Sequence, residues 1–479
     1  MSSLGLETDT NLNLTFPLPY RVFTLLGLGI LAWATNLHGL HLLGIDAVGA
    51  LELRAEGHVP RTPSFAGRPN GLSRYTPPSA FYFPAYKIFF TYAGFCFTSW
   101  TIFRFCTKGD RLLVDAFGYI PLITGLVILI ILICPMKVLL KHERDKFLYA
   151  LYRCLFSRFT APVQFSDVVF ADIATSFAKV LGDIWLSLAM LLPGNSVLVA
   201  PSEEGWHKWV LPAIMSFPYL VRFRQCIIEF CLPSNSSQRP LLNAIKYATA
   251  FPVIFLSAAQ KSMPIIDSMG NDISSQAWNG TFRLWLLAAA INSCYSFWWD
   301  ITNDWGLEML KGQKEANESG HRTPPRRLVL PQVHSHPNAP LLTRTSFDSA
   351  LPERHRHSPV LSRATSPHQQ SHPWGLRTIL LYPLPVYPLL VFLNLILRMT
   401  WSIKLSSHLY SVSDGSMGIF SLEVAEIVRR WLWVFLRVEW EVTKKIQDGL
   451  PKARPDDFSS ENEYEMVPAM PEEHFPLRS

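Results

Sequence analysis

The stretch "FRLWLLAAAINSCYSFWWDITNDWG", residues 282–306, decides the fold class of this chain. Up to Trp299 it is long and apolar enough for a transmembrane helix, which needs about 20 mostly apolar residues. It ends in Asp300 and Asp304, and a spacing of four places both carboxylates on one face of a helix. Because a carboxylate is costly inside a bilayer, the stretch predicts a membrane helix whose two acids hold a partner.

The composition of the whole chain is also that of a membrane protein. Its 479 residues are 49% hydrophobic and 17% charged, whereas soluble proteins carry about 25% charged residues. The net charge of +6 is spread over loops without a lysine-rich block, so nucleic-acid binding is not expected. The seven cysteines form no CxxC pair and no metal-ligand spacing with histidine, so neither a disulfide framework, a metal nor a cofactor is predicted.

Nine apolar segments, with one more or one fewer as the error, are predicted to cross the membrane. They lie at about 21–45, 84–105, 115–138, 166–193, 206–230, 241–261, 278–300, 377–403 and 418–440. Residues 141–162 mix basic and aromatic side chains and are predicted to form an amphipathic helix in the interface. The predicted fold is therefore an all-α polytopic membrane protein, a bundle of about nine (8–10) transmembrane helices in the lipid bilayer.

The chain divides into six predicted regions. They are a short lumenal N-terminus (1–20), three N-terminal transmembrane helices (21–140), the first part of a membrane domain (141–310), a disordered Pro/Ser/His/Arg-rich cytosolic loop (311–376), the last membrane helices (377–447) and a polar cytosolic tail (448–479). With nine spans the basic loops all fall on one side, which the positive-inside rule makes cytosolic. The histidines of 311–376 are compatible with a metal-binding tract, but their irregular spacing favours a loop that is merely polar.

The later segments carry charges that a lipid-facing helix would not tolerate. They are Asp172, Asp183, Arg222, Arg224, Lys246, Asp300, Asp304, Arg398, Arg429 and Arg430, with Arg437, Glu439 and Glu441 beyond. An ionised side chain at the bilayer centre costs about 2.5–3.5 kcal/mol on the insertion scale. These side chains must therefore face inward, either as structural ion pairs that hold the bundle together or along a hydrated pathway. Their number and their spread over six segments favour the pathway.

The chemistry of these side chains indicates an anion. Arginine presents a planar fork of donors that matches carboxylate or phosphate oxygens, and it stays charged. Several arginines and a lysine that converge would bind a tetrahedral oxyanion, and neighbouring carboxylates would orient them and keep the affinity low enough for release. An anion-selective channel or transporter follows. An enzyme is not expected, because the chain has no G-x-S-x-G, P-loop or H-E-x-x-H motif.

Six motifs occur in order along residues 153–445, interrupted by 311–376. They are "FTAPVQFSDVVFADIATS", "PYLVRFRQC", "LLNAIKYATAF", "CYSFWWDITNDWGL", "LRMTWSIKLS" and "LEVAEIVRRWLWVFLRVEWE". Together they resemble the EXS-domain family, which includes eukaryotic phosphate exporters and fungal ER-retention-defective proteins of the Golgi. In the exporter branch an N-terminal SPX domain senses inositol pyrophosphates. Only about 20 residues precede the first predicted span here, so the chain is expected to lack that sensor and to resemble the fungal branch.

The resemblance implies a set of residues that contact phosphate. Carried over motif by motif, they are Asp172, Arg222, Lys246, Tyr247, Asp300, Asp304, Arg398, Arg429 and Arg430. Tyr247 comes from the resemblance alone, whereas Asp183 and Arg224 come from the charge count alone and are secondary candidates. Asp300 and Asp304 are expected to hold Arg398 and the Arg429–Arg430 pair. The neighbouring Trp298, Trp299 and Trp305 are expected to anchor the helix end at the membrane interface.

The resemblance also implies a function: return of lumenal phosphate, a by-product of glycosylation, from the Golgi to the cytosol. Its loss would impair glycosylation and the retention of ER lumenal proteins. The expected location is the Golgi membrane or, alternatively, the ER membrane, with the N-terminus lumenal and the C-terminus cytosolic. A second hypothesis is a non-transporting adapter that docks Golgi glycosyltransferase-recycling machinery through the basic loop and the tail. Energy coupling, oligomeric state and gating are not predicted.

Overall fold

The computed structural model describes residues 12–53, 77–137, 140–157, 159, 162–192, 194–198, 208–261, 273–307, 376–377, 380–404 and 416–449. Within these ranges all regular structure is helical and no strand occurs, so the predicted all-α class is confirmed. The predicted loop at 311–376, apart from Leu376, and the tail beyond Gly449 lie outside the described residues.

The N-terminal helices are tied together by buried hydroxyl groups. The helices are α1 (Leu18–Leu42), α2 (Ala47–Ala50), α3 (Ser79–Thr107), α4 (Arg111–Ala116), α5 (Tyr119–Ile133) and α6 (Lys141–Leu155). The Ser99 hydroxyl on α3 lies 3.0 Å from the Tyr20 hydroxyl on α1 and 2.5 Å from the Thr124 hydroxyl on α5. Hydroxyl contacts of this kind hold helices together where no hydrophobic effect acts between them, as in lipid.

The helices that follow carry the predicted charges. They are α7 (Phe165–Ser176), α8 (Ala178–Met190), α9 (Val210–Cys231), α10 (Arg239–Ala248), α11 (Ala250–Lys261), α12 (Ile273–Trp299), α13 (Val386–Lys404) and α14 (Ser416–Gly449). Helices α7 and α8 form one bent pair with an angle of 58° between them. A large core cluster includes Trp305, Leu307, Leu376 and Trp433 and joins the end of α12 to α14.

Fewer helices than predicted are long and apolar enough to cross a membrane on their own. Among the described residues three spans qualify. They are α1 (Leu18–Leu42), α4 and α5 taken together (Arg111–Ile133), and α10 with α11 (Arg239–Gln260). The bent pair α7–α8 makes a fourth if it is one span. Helix α14 is long but carries buried Glu426, Arg429 and Arg430 among its apolar residues, which lowers its hydropathy. The chain is a helical membrane protein, whereas the count of nine stays a prediction.

The predicted segment 377–403 begins as a helix later than expected. Helix α13 starts at Val386 rather than near Arg377. Pro383 and Pro385 account for the delay, because each disfavours the helical conformation in the residue before it. Arg377 thus lies before the helix that carries Arg398, and the described residues just before that helix form bends and a turn.

Helix α12 ends in a π-helical turn rather than an α-helical one. Asp300–Asp304 form this turn, which is closed by a hydrogen bond of 2.9 Å from the Trp305 backbone N–H to the Asp300 carbonyl. Single π turns inside or at the end of α-helices often occur at functional sites. Gly306 follows with φ of +62°, and a Cβ atom there would lie 2.4 Å from the Trp440 ring of α14.

Replacing Gly306 by alanine is therefore expected to destabilise the protein. The left-handed backbone and the contact with Trp440 together should lower the free energy of unfolding by about 2 kcal/mol or more. The thermal midpoint of purified protein in detergent measures the change. Gly94→Ala is the matched control, because a Cβ at Gly94 meets nothing within 4 Å. Equal midpoints for the two variants would contradict this account of the turn.

Candidate functional site

Ionisable side chains from α7, α9, α10, α13, α14 and the π turn meet in one buried group, called here the charge cluster. Its members are Asp172, Arg222, Lys246, Asp300, Asp304, Arg398, Glu426, Arg429 and Arg430, together with the Tyr247 hydroxyl. All of these side chains are 0–8% exposed. The structure thus brings together every residue that the motifs predicted, and it adds Glu426. Five cations face four carboxylates, a formal surplus of one positive charge.

Asp172 on α7 and Arg222 on α9 form one end of the charge cluster. Arg222 Nε lies 2.8 Å from Asp172 Oδ1, and the Tyr247 hydroxyl donates to the same oxygen. The guanidinium group lies over the Tyr247 ring at 5.0 Å, and Arg222 Nη1 donates to Gln225 Oε1 at 2.7 Å. Asp172 is therefore fully engaged by a cation and a hydroxyl, which offsets the cost of burying it.

Asp300 is the centre of the charge cluster. Arg398 Nη2 lies 2.5 Å, and Arg429 Nη1 3.8 Å, from Asp300 Oδ2. Lys246 Nζ lies 3.6 Å from the other oxygen, Oδ1. Asn394 Nδ2 also donates to Oδ2 at 3.2 Å. One fully buried carboxylate thus faces three cations from three different helices.

Asp304, one turn further on, shares a cation with Asp300. Lys246 Nζ donates to Asp304 Oδ2 at 3.1 Å, so the two aspartates meet on the same ammonium group. Trp299 Nε1 donates to Asp304 Oδ1 at 3.2 Å. The predicted shared face of the two carboxylates is therefore present, although the turn between them is π-helical.

Glu426 holds Arg429 in a two-pronged ion pair on α14. Arg429 Nε and Nη2 donate to Glu426 Oε2 and Oε1 at 2.8 and 2.7 Å. The remaining nitrogen, Nη1, donates to Asn394 Oδ1 at 3.2 Å. Arg429 is in this way satisfied by a carboxylate of its own helix, while Asp300 lies at the limit of ion-pair distance.

Arg430 differs from its neighbour because its partners are uncharged. Nε donates to Ser176 Oγ at 2.9 Å and Nη2 donates to Thr175 Oγ1 at 3.1 Å. Its guanidinium group lies over the Trp433 ring at 4.7 Å. Among the side chains that the structure describes, no carboxylate oxygen lies within 4 Å of Arg430. Arg430 is therefore the cation of the cluster that contacts no carboxylate directly.

Two expectations about this region are corrected. Asp300 and Asp304 hold Arg398, Arg429 and Lys246, whereas Arg430 is held by hydroxyl groups of α7. Trp299 and Trp305 are only 2% exposed, so they pack inside the protein instead of anchoring the helix end at an interface. The indole N–H of Trp299 is drawn inward because Asp304 accepts its hydrogen bond. Trp298, in contrast, is 38% exposed.

The charge cluster is also drier than the predicted hydrated pathway. Opposite charges contact one another directly, and the side chains retain little or no exposed surface. Direct pairing of this kind removes the room that water would need between the charges. The conformation described here is consequently closed around the site.

The two secondary candidates lie apart from the charge cluster. Asp183 on α8 forms an ion pair with Lys179, one turn earlier on the same helix. Arg224 points away from Arg222 and donates to the carbonyl groups of Leu155 and, at 2.6 Å, Ser157. Both therefore have local structural partners.

Sequence reasoning missed several members of the site. Glu426, Asn394, Ser176, Thr175 and Gln225 all bind charged groups of the cluster. A signal for Glu426 was available, since it precedes Arg429 by three residues and such pairs are neighbours on a helix. The hydroxyl and amide residues carry no charge, and nothing in the pattern of the chain distinguishes them.

Comparison with known proteins places these residues in a family context. The EXS family model matches residues 16–443. Protein ERD1 homolog 1 of Schizosaccharomyces pombe is 27% identical over 358 residues, which cover 71% of this chain and 75% of that protein. SPX and EXS domain-containing protein 3 of Dictyostelium discoideum is 22% identical over 362 residues, 74% of this chain and 31% of that protein. Solute carrier family 53 member 1 of Homo sapiens is 31% identical over 179 residues, 33% of this chain and 23% of that protein.

Proposed function

Because this chain belongs to the EXS family, we propose that it moves inorganic phosphate across a membrane through the charge cluster. The direction proposed is from the Golgi lumen to the cytosol, where the phosphate released by glycosylation is recovered. This activity would support glycosylation and the retention of ER lumenal proteins. It requires no covalent chemistry and no cofactor.

The observation that carries the proposal is the environment of Arg430. A buried cation whose partners are hydroxyl groups is costly in a low-dielectric interior unless an anion joins it. Arg430 has such partners, and the cluster around it has a surplus positive charge. An anion at this position would restore neutrality, so the site is suited to bind one.

The donors around Arg430 favour a tetrahedral oxyanion over a spherical halide. The guanidinium group offers N–H donors in a planar fork, which matches two oxygens of a phosphate. The hydroxyl groups of Thr175 and Ser176 lie beside it and accept from it. Each would donate to a phosphate oxygen only after rotating away from its present acceptor, which for Thr175 is the Asp172 carbonyl. Ser176 Oγ also donates to Glu426 Oε1 at 2.7 Å, so a carboxylate is close enough to accept the proton of a hydrogen phosphate.

The carboxylates keep the affinity for the anion low enough for the anion to be released. Asp172, Asp300 and Glu426 neutralise cations that would otherwise trap the anion. Transport requires affinity that allows both entry and exit. Because the described conformation is closed, we propose that passage depends on a rearrangement that parts some of these ion pairs. The bend between α7 and α8 lies directly after Ser176 and is the candidate hinge.

The alternative function, a non-transporting adapter for Golgi glycosyltransferase recycling, assigns the work to the 311–376 segment and the tail. The positions of the described residues on either side of that segment allow the site to be tested without it. Arg377 Nη1 donates to the Trp305 carbonyl at 3.0 Å, and Leu307 and Leu376 belong to the same hydrophobic cluster. Leu307 and Leu376, the described residues on either side of that segment, thus lie in one cluster.

Deleting residues 315–372 is expected to leave the function intact. The ten residues that remain between Leu307 and Leu376 can span about 30 Å, more than the two adjacent ends need. In cells that lack the native protein, the deletion variant should restore glycosylation of a secreted reporter and retention of an ER lumenal protein, whereas Arg430→Gln should not. Equal expression of the two variants is the control. Rescue by Arg430→Gln together with failure of the deletion variant would favour the adapter.

A further inference from the structure

A second buried ion pair lies beside the charge cluster and takes no part in the anion site itself. Arg377 Nη2 and Glu439 Oε2 form it, and the two residues are 5% and 0% exposed. Arg377 lies before the start of α13, and Glu439 lies on α14. We call this pair the Arg377–Glu439 clamp.

The clamp holds the backbone of the π turn. Arg377 Nη1 donates to the Trp305 carbonyl at 3.0 Å. Trp305 is also the residue whose N–H closes the turn on the Asp300 carbonyl. The Trp440 ring, against which Gly306 packs, lies 5.3 Å from the Arg377 guanidinium carbon. Arg377 therefore holds the C-terminal end of the π turn that carries Asp300 and Asp304.

The clamp also joins α13 and α14, two of the three helices that supply cations to Asp300. Glu439 Oε1 accepts hydrogen bonds from the Leu381 backbone N–H at 2.8 Å and from the Tyr387 hydroxyl. Tyr387 lies in the first turn of α13, the helix that carries Arg398. Glu439 follows Arg429 on α14 by a rise of about 15 Å. Three of the four elements that meet at Asp300, namely the π turn, α13 and α14, are thus joined at one point outside the site.

We propose that Arg377 and Glu439 are positioning residues that set the affinity of the site for phosphate. They hold the Asp300–Asp304 turn at a fixed position relative to Arg398 and Arg429, so that both guanidinium groups converge on Asp300. The inference rests on the proposed function. Burial alone does not explain the pair, because replacing a buried ion pair by neutral groups of similar volume is often harmless to stability. Positioning and stability can therefore be separated by experiment.

The test uses the full chain in proteoliposomes with inorganic phosphate as the probe. The double variant Arg377→Met/Glu439→Gln removes both charges, and the amide oxygen that it introduces on α14 can still accept from Leu381 and Tyr387. We expect it to fold with a thermal midpoint close to that of the unmodified chain. Its half-saturating phosphate concentration should rise about tenfold, the size of effect that follows the loss of one charge-assisted hydrogen bond. Arg377→Lys, which keeps the charge pair but not the fork, should fold and shift the concentration in the same direction.

The matched control is Arg437→Met/Glu441→Gln, which removes an ion pair within α14, with 3.3 Å between Arg437 Nη1 and Glu441 Oε2. It also removes the contact of Glu441 with Lys444. It should leave the half-saturating concentration unchanged. An unchanged concentration in Arg377→Lys, or in the double variant, would overturn the positioning role even though the unmodified chain transports phosphate. If the unmodified chain neither transports phosphate nor is stabilised by it against heating, the proposed function itself fails. The two failures are in this way distinguishable.

Discussion

Phosphate flux is expected to disappear in Arg430→Gln while the protein remains folded. The substitution removes the charged donors that the anion would use, and the loss of two charge-assisted hydrogen bonds corresponds to about a 100-fold loss of affinity or more. Arg430 neutralises no carboxylate within 4 Å among the described side chains. Glutamine can still donate to Ser176 or Thr175, so the free energy of unfolding should change by about 1 kcal/mol or less.

The neighbouring residue provides the control for this prediction. Arg429→Gln leaves Glu426 as a buried carboxylate without its two-pronged partner, and breaking a buried ion pair costs about 3–5 kcal/mol. Arg429→Gln should therefore fail to accumulate or melt at a much lower temperature, whereas Arg430→Gln should melt near the unmodified chain. Flux through proteoliposomes and thermal midpoints in detergent measure the two properties separately. Normal flux in Arg430→Gln, or equal loss of stability in both variants, would contradict the assignment.

Asp300→Asn is expected to destabilise the protein strongly, and phosphate should partly reverse this effect. The substitution leaves Arg398, Arg429 and Lys246 facing a neutral amide, at a cost of about 3–5 kcal/mol. An added anion can supply the missing negative charge. Millimolar phosphate should therefore raise the thermal midpoint of Asp300→Asn more than that of the unmodified chain.

Asp183→Asn is the matched comparison for this experiment. Asp183 is also a buried aspartate with a cationic partner, Lys179, but it lies outside the charge cluster. Its loss should lower the thermal midpoint without any added response to phosphate. If phosphate stabilises both variants to the same degree, or neither, the cluster around Asp300 does not respond to an anion as proposed.

The members of the charge cluster that could be predicted share one physical property. An ionised group in an apolar helix is costly in lipid, so it almost always faces the protein interior and pairs with an opposite charge. That constraint holds at every depth of the bundle, so Lys246, Asp300 and Arg398 can be identified without knowledge of the helix packing. Tyr247 carries no charge, and only its motif indicated it.

The features that could not be predicted depend on tertiary contacts. The π turn at Asp300–Asp304 arises from one displaced backbone hydrogen bond, which hydropathy does not encode. The expectation that Trp299 anchors the helix end at the membrane interface was wrong, because its indole N–H donates to an internal acceptor, Asp304. The late start of α13 was readable from Pro383 and Pro385, whereas the contact that this allows between Arg377 and Trp305 was not.

The most direct measurement is tracer counterflow of phosphate in proteoliposomes. Vesicles that contain the purified full chain and unlabelled phosphate are placed in labelled phosphate, beside vesicles with Arg430→Gln at equal protein content. We expect uptake of label into the first vesicles, at a rate that saturates with phosphate. For the variant we expect uptake no faster than in protein-free vesicles. Folded, unmodified protein that takes up label no faster than protein-free vesicles would contradict the account.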